Sequence, residues 1–275
     1  MNLWVAGLII AGVVAVAVTL TAFLRRRAPL GGFFSDTARS AGVFGVLGMS
    51  FAVLLAFVIF VAFESYADAR QKADQEAVAV TTLFRDAGFF APPARDELRL
   101  DLTCYARAVI YDEWPAMRHQ RDSPLVRGWI STIEGTVERL DIHGAVQEAG
   151  LANWGQTQVL RREGRRGRLS EASPFVPAPL WLVLILGAAL VVGFTCLHAD
   201  PGEGLAVQAM MTAAITAVVV AGLLTVRFLD HPYENRSGSI KPAEMTRTLE
   251  LMEQAEPNLL RNSAPCDAHG RPTRE

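Results

Sequence analysis

The strongest constraint on this chain is an apolar run that passes directly into an amphipathic helical pattern. The run extends from Ala41 to Phe63, and the pattern continues from Glu64 to Phe90 without a single proline. An α-helix rises about 1.5 Å per residue, so one helix over both parts would reach roughly 70 Å, more than twice the ~30 Å hydrocarbon core of a bilayer. The sequence therefore predicts one continuous helix that crosses a membrane and extends beyond it.

Composition agrees with a membrane protein that has a sizeable part outside the bilayer. Of the 275 residues, 51% are hydrophobic and 20% are charged, which is too apolar for an ordinary soluble domain and too charged for a chain confined to lipid. Four runs of about 18–23 residues reach spanning length: Leu3–Leu24, Ala41–Phe63, Leu180–Leu197 and Leu205–Val226. Three arginines, and no small-residue cleavage site, follow the first run, which indicates a membrane helix and not a cleaved signal peptide.

The predicted fold class is all-α, with four transmembrane helices and a helical domain inserted between spans 2 and 3. Prolines at 92, 93 and 115 separate the predicted helices of the insert, and Ser123-Pro124 is a helix start signal. Helices are predicted over residues 64–90, 94–113, 124–140 and 144–162. The predicted organisation is a transmembrane hairpin over 1–63 (spans 3–24 and 41–63), a helical extramembrane domain over 64–178, a second hairpin over 179–229 (spans 180–197 and 205–226), a helical tail over 230–262 and a disordered tail over 263–275.

The membrane orientation is argued from basic residues and cysteines. With four spans, the insert and both termini lie on one side. Nine basic residues stand near span ends on that side, against four on the other, and basic residues favour the cytoplasm. Three scattered cysteines, Cys104, Cys196 and Cys266, suggest no disulfide framework and are expected to be free thiols, which also suits the cytoplasm. We therefore expect a multi-pass protein of the bacterial inner membrane with the insert and both termini cytoplasmic.

The second span carries two rows of residues at four-residue spacing. The first is a ridge of small residues, Gly48, Ala52 and Ala56, which allows helices to approach closely. The second is an apolar row about a quarter-turn away, formed by Leu47, Phe51 and Leu55. Ordinary packing explains such rows, but several copies around an axis would also form a hydrophobic constriction that gates by dewetting. Both alternatives remain open from the spacing.

Charged and polar residues near the spans also have two interpretations each. Glu64 and Asp68, followed by Arg70 and Lys72, either form charged rings at a pore mouth or lie on a solvated helix face. A polar stripe in the fourth span either forms interhelical hydrogen bonds or lines a water-filled path; it comprises Gln208, Thr212 and Thr216. Five arginines in eight residues are expected to bind anionic lipid headgroups: Arg161, Arg162, Arg165, Arg166 and Arg168.

Several classes of function find no support in the sequence. A formal net charge of −2 gives no basic field for nucleic acid. The histidines lack metal-ligand spacing, no charged residue lies deep in a span, and no nucleotide-binding or nucleophile motif is present. We therefore expect no enzyme, no cofactor and no metal site.

Two segments resemble those of bestrophin channels. Residues 63–72, Phe-Glu-Ser-Tyr-Ala-Asp-Ala-Arg-Gln-Lys, resemble the Ser-Tyr and Glu-Ala-Arg-Lys segment that bestrophins carry after their second span. Leu229, followed by Asp230, His231, Pro232 and Tyr233, resembles their Asn-Pro-Phe-Gly turn after the fourth span. The match is nearest to the bacterial bestrophin-like family of unknown function and covers roughly residues 35–250. Two features differ: the tryptophan pair is missing, and residues 234–239 replace the acidic calcium-binding run.

The resemblance implies a homopentameric anion channel with a helical cytosolic domain and a pore lined by the second span. It places the neck near Leu47, Phe51 and Leu55, and a shift of a few residues would substitute Phe57 or Phe60. The expected partners are further copies of the chain, membrane lipids and inorganic anions. The alternative is a non-conducting membrane adaptor, in which the long helix couples the bilayer to the helical insert. For either function we expect the Tyr233 turn to pack against the insert.

Overall fold

The structure is a computed structural model that describes residues 2–29, 32–34 and 36–273. Apart from an isolated bridge between Cys266 and Pro272, all regular secondary structure in these residues is helical, which confirms the predicted all-α class. The chain forms two compact units. Unit 1 comprises the residues up to Tyr66 together with Pro174–His231, and unit 2 comprises Ala67–Ser173 together with the residues from Pro232 onward.

Unit 1 contains the membrane-spanning helices. These are α1 (Leu3–Arg27), the first part of α2 (Thr37–Asp86), α7 (Ala178–Leu197) and α8 (Leu205–Leu229). All four helices are long and apolar enough to cross a membrane, so the four predicted spans are confirmed. Helix α1 packs mainly on α8, and α7 contacts both. The core of unit 1 joins α2 to α7 and α8 through buried side chains, among them Phe51, Leu55, Leu184, Val191 and Val219.

Helix α2 runs without interruption for 50 residues and is followed by a 3₁₀ turn, Ala87–Phe89. At about 1.5 Å per residue it is roughly 75 Å long. The predicted continuity beyond Glu64 is therefore confirmed. The helix ends before Pro92 and Pro93, because proline donates no backbone hydrogen bond and cannot continue the ladder.

Unit 2 contains the helices of the insert and of the tail. They are α3 (Ala94–Ala108), a π-helical turn (Val109–Glu113), α4 (Trp114–Met117), α5 (Pro124–Glu138), α6 (Ala145–Ser170), α9 (Ala243–Ala255) and α10 (Pro257–Ser263). The Ser123 side chain caps α5 by accepting a hydrogen bond from the Val126 backbone nitrogen at 3.2 Å. Helix α6 extends eight residues beyond the predicted end at Arg162, because its last two turns pack on α2.

The end of the chain differs from the sequence prediction. Cys266 forms a disulfide with Cys104 of α3, and the Trp129 indole nitrogen donates to the Gly270 carbonyl oxygen at 2.7 Å. Gly270 has φ +79°, and a Cβ there would lie 2.5 Å from the Ala108 backbone nitrogen, so this turn requires glycine. The prediction of disorder is thus wrong for residues 263–273, of which Ser263 ends α10, and two of the three predicted free thiols are paired. Residues 274–275 lie outside the described part of the chain.

The error has a physical reason. The disulfide joins residues 162 positions apart, and a local sequence pattern contains no information about such a distant pairing. Polar, proline-containing residues such as those after Asn262 usually lack enough apolar surface to order themselves. Here the order comes from contacts with α3 and α5, which accept the segment on a surface of unit 2.

Candidate functional site

The row of Leu47, Phe51 and Leu55 faces the interior of unit 1. Phe51 is 6% exposed and Leu55 is 9% exposed, while Leu47 is half-buried against the same core. Two glycines allow this close packing: a Cβ on Gly187 of α7 would lie 2.5 Å from the Phe51 ring, and one on Gly222 of α8 would lie 2.6 Å from a Leu55 methyl group. These side chains are therefore occupied in helix packing within one chain.

The ridge of small residues lies on a different face of α2. Ala52 and Ala56 are exposed, and a Cβ on Gly48 would meet nothing within 4 Å. Phe60, which is 59% exposed, follows Ala56 after one helical turn, and Phe57 beside it is 65% exposed. This face also carries other exposed apolar side chains, namely Val46, Met49, Val53 and Phe63. The described part of unit 1 thus leaves an apolar face of α2 uncovered, with small residues at its middle and phenylalanines at its end.

The charged residues that follow on α2 differ in their surroundings. In unit 1, Glu64 is exposed. In unit 2, Asp68 and Arg70 are exposed, whereas Lys72 is half-buried. The Lys72 methylenes lie against α6, where a Cβ on Gly167 would be 2.6 Å from the lysine Cγ. Contact with α6 therefore fixes the stem of Lys72, while Asp68 and Arg70 remain at the surface of their unit.

A buried ion network holds the helices of unit 2 together. The fully buried Arg168 guanidinium contacts two carboxylates, with Nε 2.6 Å from Glu76 Oε2 and Nη2 2.7 Å from Glu113 Oε2. Arg165 forms a second ion pair with Glu113 at 2.5 Å, and the Tyr105 hydroxyl donates to Glu76 Oε1 at 2.5 Å. Burial raises the pKa of Glu113, but the opposing effects of Arg168 and Arg165 outweigh it and leave that pKa lowered. Glu113 thus keeps its charge at neutral pH.

This network corrects the predicted lipid contacts of the arginine cluster. Arg161 is 1% exposed, donates to Gln158 Oε1 at 2.6 Å and lies over the Tyr105 ring. With Arg165 and Arg168 paired to buried carboxylates, three of the five arginines cannot reach a lipid surface. The sequence misled because the compensating acids lie on α2 and on the π-helical turn, far along the chain. Only Arg162 and Arg166 of the five are exposed.

The burial of Glu76, one of the two acids in this network, is indicated by the sequence around it. Glu76 lies among Ala73, Ala77 and Val80, which share one helical face by their spacing and are all buried. A lone acid on an apolar face of a helix predicts either an unfavourable burial or a buried cation that compensates it. The sequence does not indicate which arginine provides that cation.

The turn after α8 divides between the two units. In unit 1, the Asp230 carboxylate accepts hydrogen bonds from the Val176 backbone nitrogen at 2.8 Å and the Trp181 indole nitrogen at 3.4 Å, and His231 Nδ1 lies 3.6 Å from it. In unit 2, Pro232 is buried. Tyr233 there is 3% exposed. Its hydroxyl donates to the Ala69 carbonyl oxygen at 3.0 Å, and its ring meets the Trp114 ring edge-on, 5.6 Å between centroids. Tyr233 is therefore packed against the insert, as the sequence predicts.

Comparison with known proteins identifies relatives in sequence and in structure. The family profile of the Bestrophin-like domain matches residues 7–243. A search of curated proteins finds no match. Among solved structures, a bacterial bestrophin homologue from Klebsiella pneumoniae with an isoleucine-to-threonine substitution is similar, with a TM-score of 0.68 and 14% sequence identity over 88% of this chain and 98% of that one. The resemblance deduced from the two sequence segments is thereby confirmed.

Two further structures have a similar fold. An aspartate-to-alanine form of the Klebsiella pneumoniae homologue gives a TM-score of 0.68 at 13% identity, over 92% of this chain and 99% of that one. A structure described as a membrane protein with a proline-to-alanine substitution gives 0.62 at 15% identity, over 92% and 97%. At such identities the likeness establishes the fold, and functional residues must be argued from this chain itself.

Proposed function

Because the chain belongs to the Bestrophin-like family, we propose that it is an ion-channel subunit that assembles as a homopentamer around α2. The observation that carries this proposal is the uncovered apolar face of α2 in unit 1, with exposed Ala52 and Ala56 followed by exposed Phe60. Small residues let copies of a helix approach closely in a membrane, where the backbone can then contact its neighbour. A face of this kind in an integral membrane protein is suited to contact with further copies of the same helix.

The proposed constriction lies at Phe60, with Phe57 beside it. A ring of phenylalanine side chains narrows a pore and removes water from it, so conduction depends on its width. Phe60 extends the row of Gly48, Ala52 and Ala56 by one turn, and its side chain is free of the unit 1 core. Phe51 and Leu55 are not carried into the proposed pore, because contacts with α7 and α8 already bury them.

Anions are the proposed permeant ions, as in the bestrophin channels that the chain resembles. The exposed charges after the constriction are Glu64, Asp68 and Arg70, so local charge alone gives no preference for anions.

Lipid contact is proposed for Arg162 and Arg166 alone, since an exposed cation gains roughly 1 kcal/mol near an anionic headgroup surface. Arg162 also pairs with Glu134 at 3.1 Å, which reduces its availability.

Conduction is tested by recording currents from the purified oligomer in planar bilayers. The variant Phe60→Ala should raise the chloride current severalfold, because a wider neck is more easily wetted. Leu182→Ala is the matched control, since Leu182 is 59% exposed on α7 and outside the proposed pore; its current should equal that of the wild type. The reversal potential in asymmetric chloride salt measures selectivity. An intact oligomer that carries no current, as wild type or as the Phe60→Ala variant, would instead support the adaptor function. A stable monomer would contradict the proposed assembly around α2, whether or not it conducts.

We also propose that unit 2 and both termini face the cytoplasm. The resemblance to bestrophins supports this orientation. Burial of Arg161, Arg165 and Arg168 in unit 2 reduces the excess of basic residues to six against four, and the Cys104–Cys266 disulfide is a bond typical of oxidising compartments. Fusions at the C-terminus decide between a cytoplasmic and an external unit 2. Green fluorescent protein fused there should fluoresce, because that end is expected in the cytoplasm, whereas active alkaline phosphatase at the same position would place unit 2 outside.

A further inference from the structure

Unit 1 contains a cavity of about 300 Å³ at the loop that joins α7 to α8. Its apolar wall includes Phe44, Met211 and Ile215. Its polar lining consists of Thr21, Thr195, His198, Glu203, Gln208 and Thr212. The volume suits a small organic molecule and exceeds that of a single water several times. The polar lining determines which chemistry it can accept.

The side-chain hydrogens of this lining are already used inside the protein. The Thr195 hydroxyl donates to the Val191 carbonyl oxygen at 2.8 Å. The His198 ring donates from Nδ1 to the Phe194 carbonyl oxygen at 2.8 Å, so that Nε2 of the neutral imidazole is an acceptor. The Gln208 amide nitrogen donates to the Asp200 carbonyl oxygen at 2.8 Å.

The hydroxyl hydrogens of the two threonines on α1 and α8 are also used inside the protein. Thr21 donates its one hydroxyl hydrogen to the Ala17 carbonyl oxygen at 3.0 Å. The 3.4 Å contact between the Thr21 and Thr212 hydroxyl oxygens therefore has Thr212 as its donor. Among the described residues that line the cavity, every polar side chain thus offers lone pairs and has no donor hydrogen left to offer. In the polar stripe of α8, Thr212 therefore makes one interhelical hydrogen bond, to Thr21 of α1.

One acceptor in the lining has no donor at all. Gln208 is 5% exposed, and its amide oxygen is buried without a partner in the part of the chain that the structure describes. The amide cannot be reversed to correct this, because its nitrogen faces two acceptors, the Asp200 carbonyl oxygen and, at 3.4 Å, Glu203 Oε2. An unsatisfied buried acceptor costs about 1–3 kcal/mol, and Gln208 thus adds a further acceptor, and no free donor, to this lining.

We propose that this cavity binds a small organic cation through a primary ammonium group. An ammonium has three donors and no acceptor, which complements a lining that has only acceptors. Glu203 supplies the negative charge, and Phe44 in the lining is an aromatic residue of the kind that makes cation–π contacts. An anion is excluded by the same lining. Arg25, a nearby cation, is directed to the backbone carbonyl oxygens of Pro201 and Glu203. The inference is independent of conduction.

The test uses three probes of similar size and different charge: 2-phenylethylammonium, 2-phenylethanol and 3-phenylpropionate. Binding to the purified protein in detergent is measured by calorimetry. The ammonium should bind at least tenfold more tightly than the alcohol, and the carboxylate should not bind. Equal affinities for the ammonium and the alcohol would overturn the proposal, as would binding of the carboxylate.

Variants link the binding to this lining. Gln208→Leu and Glu203→Gln should each weaken ammonium binding about tenfold, whereas Met210→Leu, at an exposed position outside the lining, should not change it. Glu203 is exposed, so its variant folds even if Gln208→Leu does not. Unchanged affinity in the Glu203 variant would refute the assignment. Repeating the titration in nanodiscs distinguishes the source: weaker binding with phosphatidylethanolamine than with phosphatidylglycerol indicates a lipid headgroup, and equal binding indicates a soluble amine.

Discussion

At the scale of single residues, Arg168 is the cation at the centre of the buried ion network of unit 2. Its guanidinium is 0% exposed and compensates two buried carboxylates. Arg168→Met would leave Glu76 and Glu113 without their shared cation, so we expect the free energy of unfolding to fall by about 3–5 kcal/mol. Arg162→Met is the matched control on the same helix: its ion pair with Glu134 is exposed, and its loss should cost less than about 1 kcal/mol. Denaturant titration in detergent measures both, and equal losses would contradict the network.

Asp101 gives unit 2 a stability that depends on pH. It is 3% exposed, and burial, reinforced by the charge of Glu97 and opposed by Arg139, raises its pKa to about 7. An acid with a raised folded pKa holds its proton longer in the native than in the unfolded state. Stability is therefore highest below the unfolded pKa of 3.8 and is lost as pH rises toward 7.

The variant Asp101→Asn removes this titration. We expect the unfolding free energy of the wild type, measured relative to the variant, to fall by an amount on the order of 4 kcal/mol between pH 4 and pH 7.5. The measurement is thermal or denaturant unfolding of both proteins at several pH values. Parallel profiles for the two would show that Asp101 ionises in the folded protein as it does in the unfolded chain.

At the scale of elements, close packing of α6 on α2 depends on glycine. A Cβ on Gly164 would lie 2.7 Å from the Glu76 backbone nitrogen, so Gly164→Ala must push the two helices apart. We expect a loss of about 1–3 kcal/mol, as for overpacked cores. Gly155→Ala on the same helix meets nothing within 4 Å and should be neutral or stabilise by up to about 1 kcal/mol through helix propensity. Thermal unfolding separates the two, and a stable Gly164 variant would disprove this contact.

The sequence was most informative about the individual helices. Apolar runs and the absence of proline in α2 predict the four spans and the long helix, because these depend on local hydrophobicity and local backbone chemistry. The buried or exposed state of each face of α2 was not predictable, since Leu55 and Phe60 are equally apolar. Gly187 of α7 and Gly222 of α8 receive Phe51 and Leu55, and this allows their row to face the bundle.

At the scale of the whole molecule, the disulfide adds a long-range constraint to the fold. Cys104 and Cys266 are 162 positions apart, and closing a loop of this length stabilises a fold by an entropy term on the order of 5 kcal/mol in the simplest chain model. Cys266→Ser should therefore lower the unfolding midpoint. Reductant should lower the wild-type midpoint to that of the variant and leave the variant unchanged, as measured by calorimetric scans in detergent. A wild type insensitive to reductant would argue that the bond does not form.

The same bond has a consequence for the connectivity of the chain. Both α7 and α8, and the turn between them, lie in the sequence between the two cysteines. The chain from Cys104 to Cys266 is therefore closed into a covalent ring, and this ring crosses the lipid twice, through α7 and α8. A protease that cuts the 198–204 turn once opens this ring but releases nothing, and the nicked product separates into two pieces only after thiol treatment.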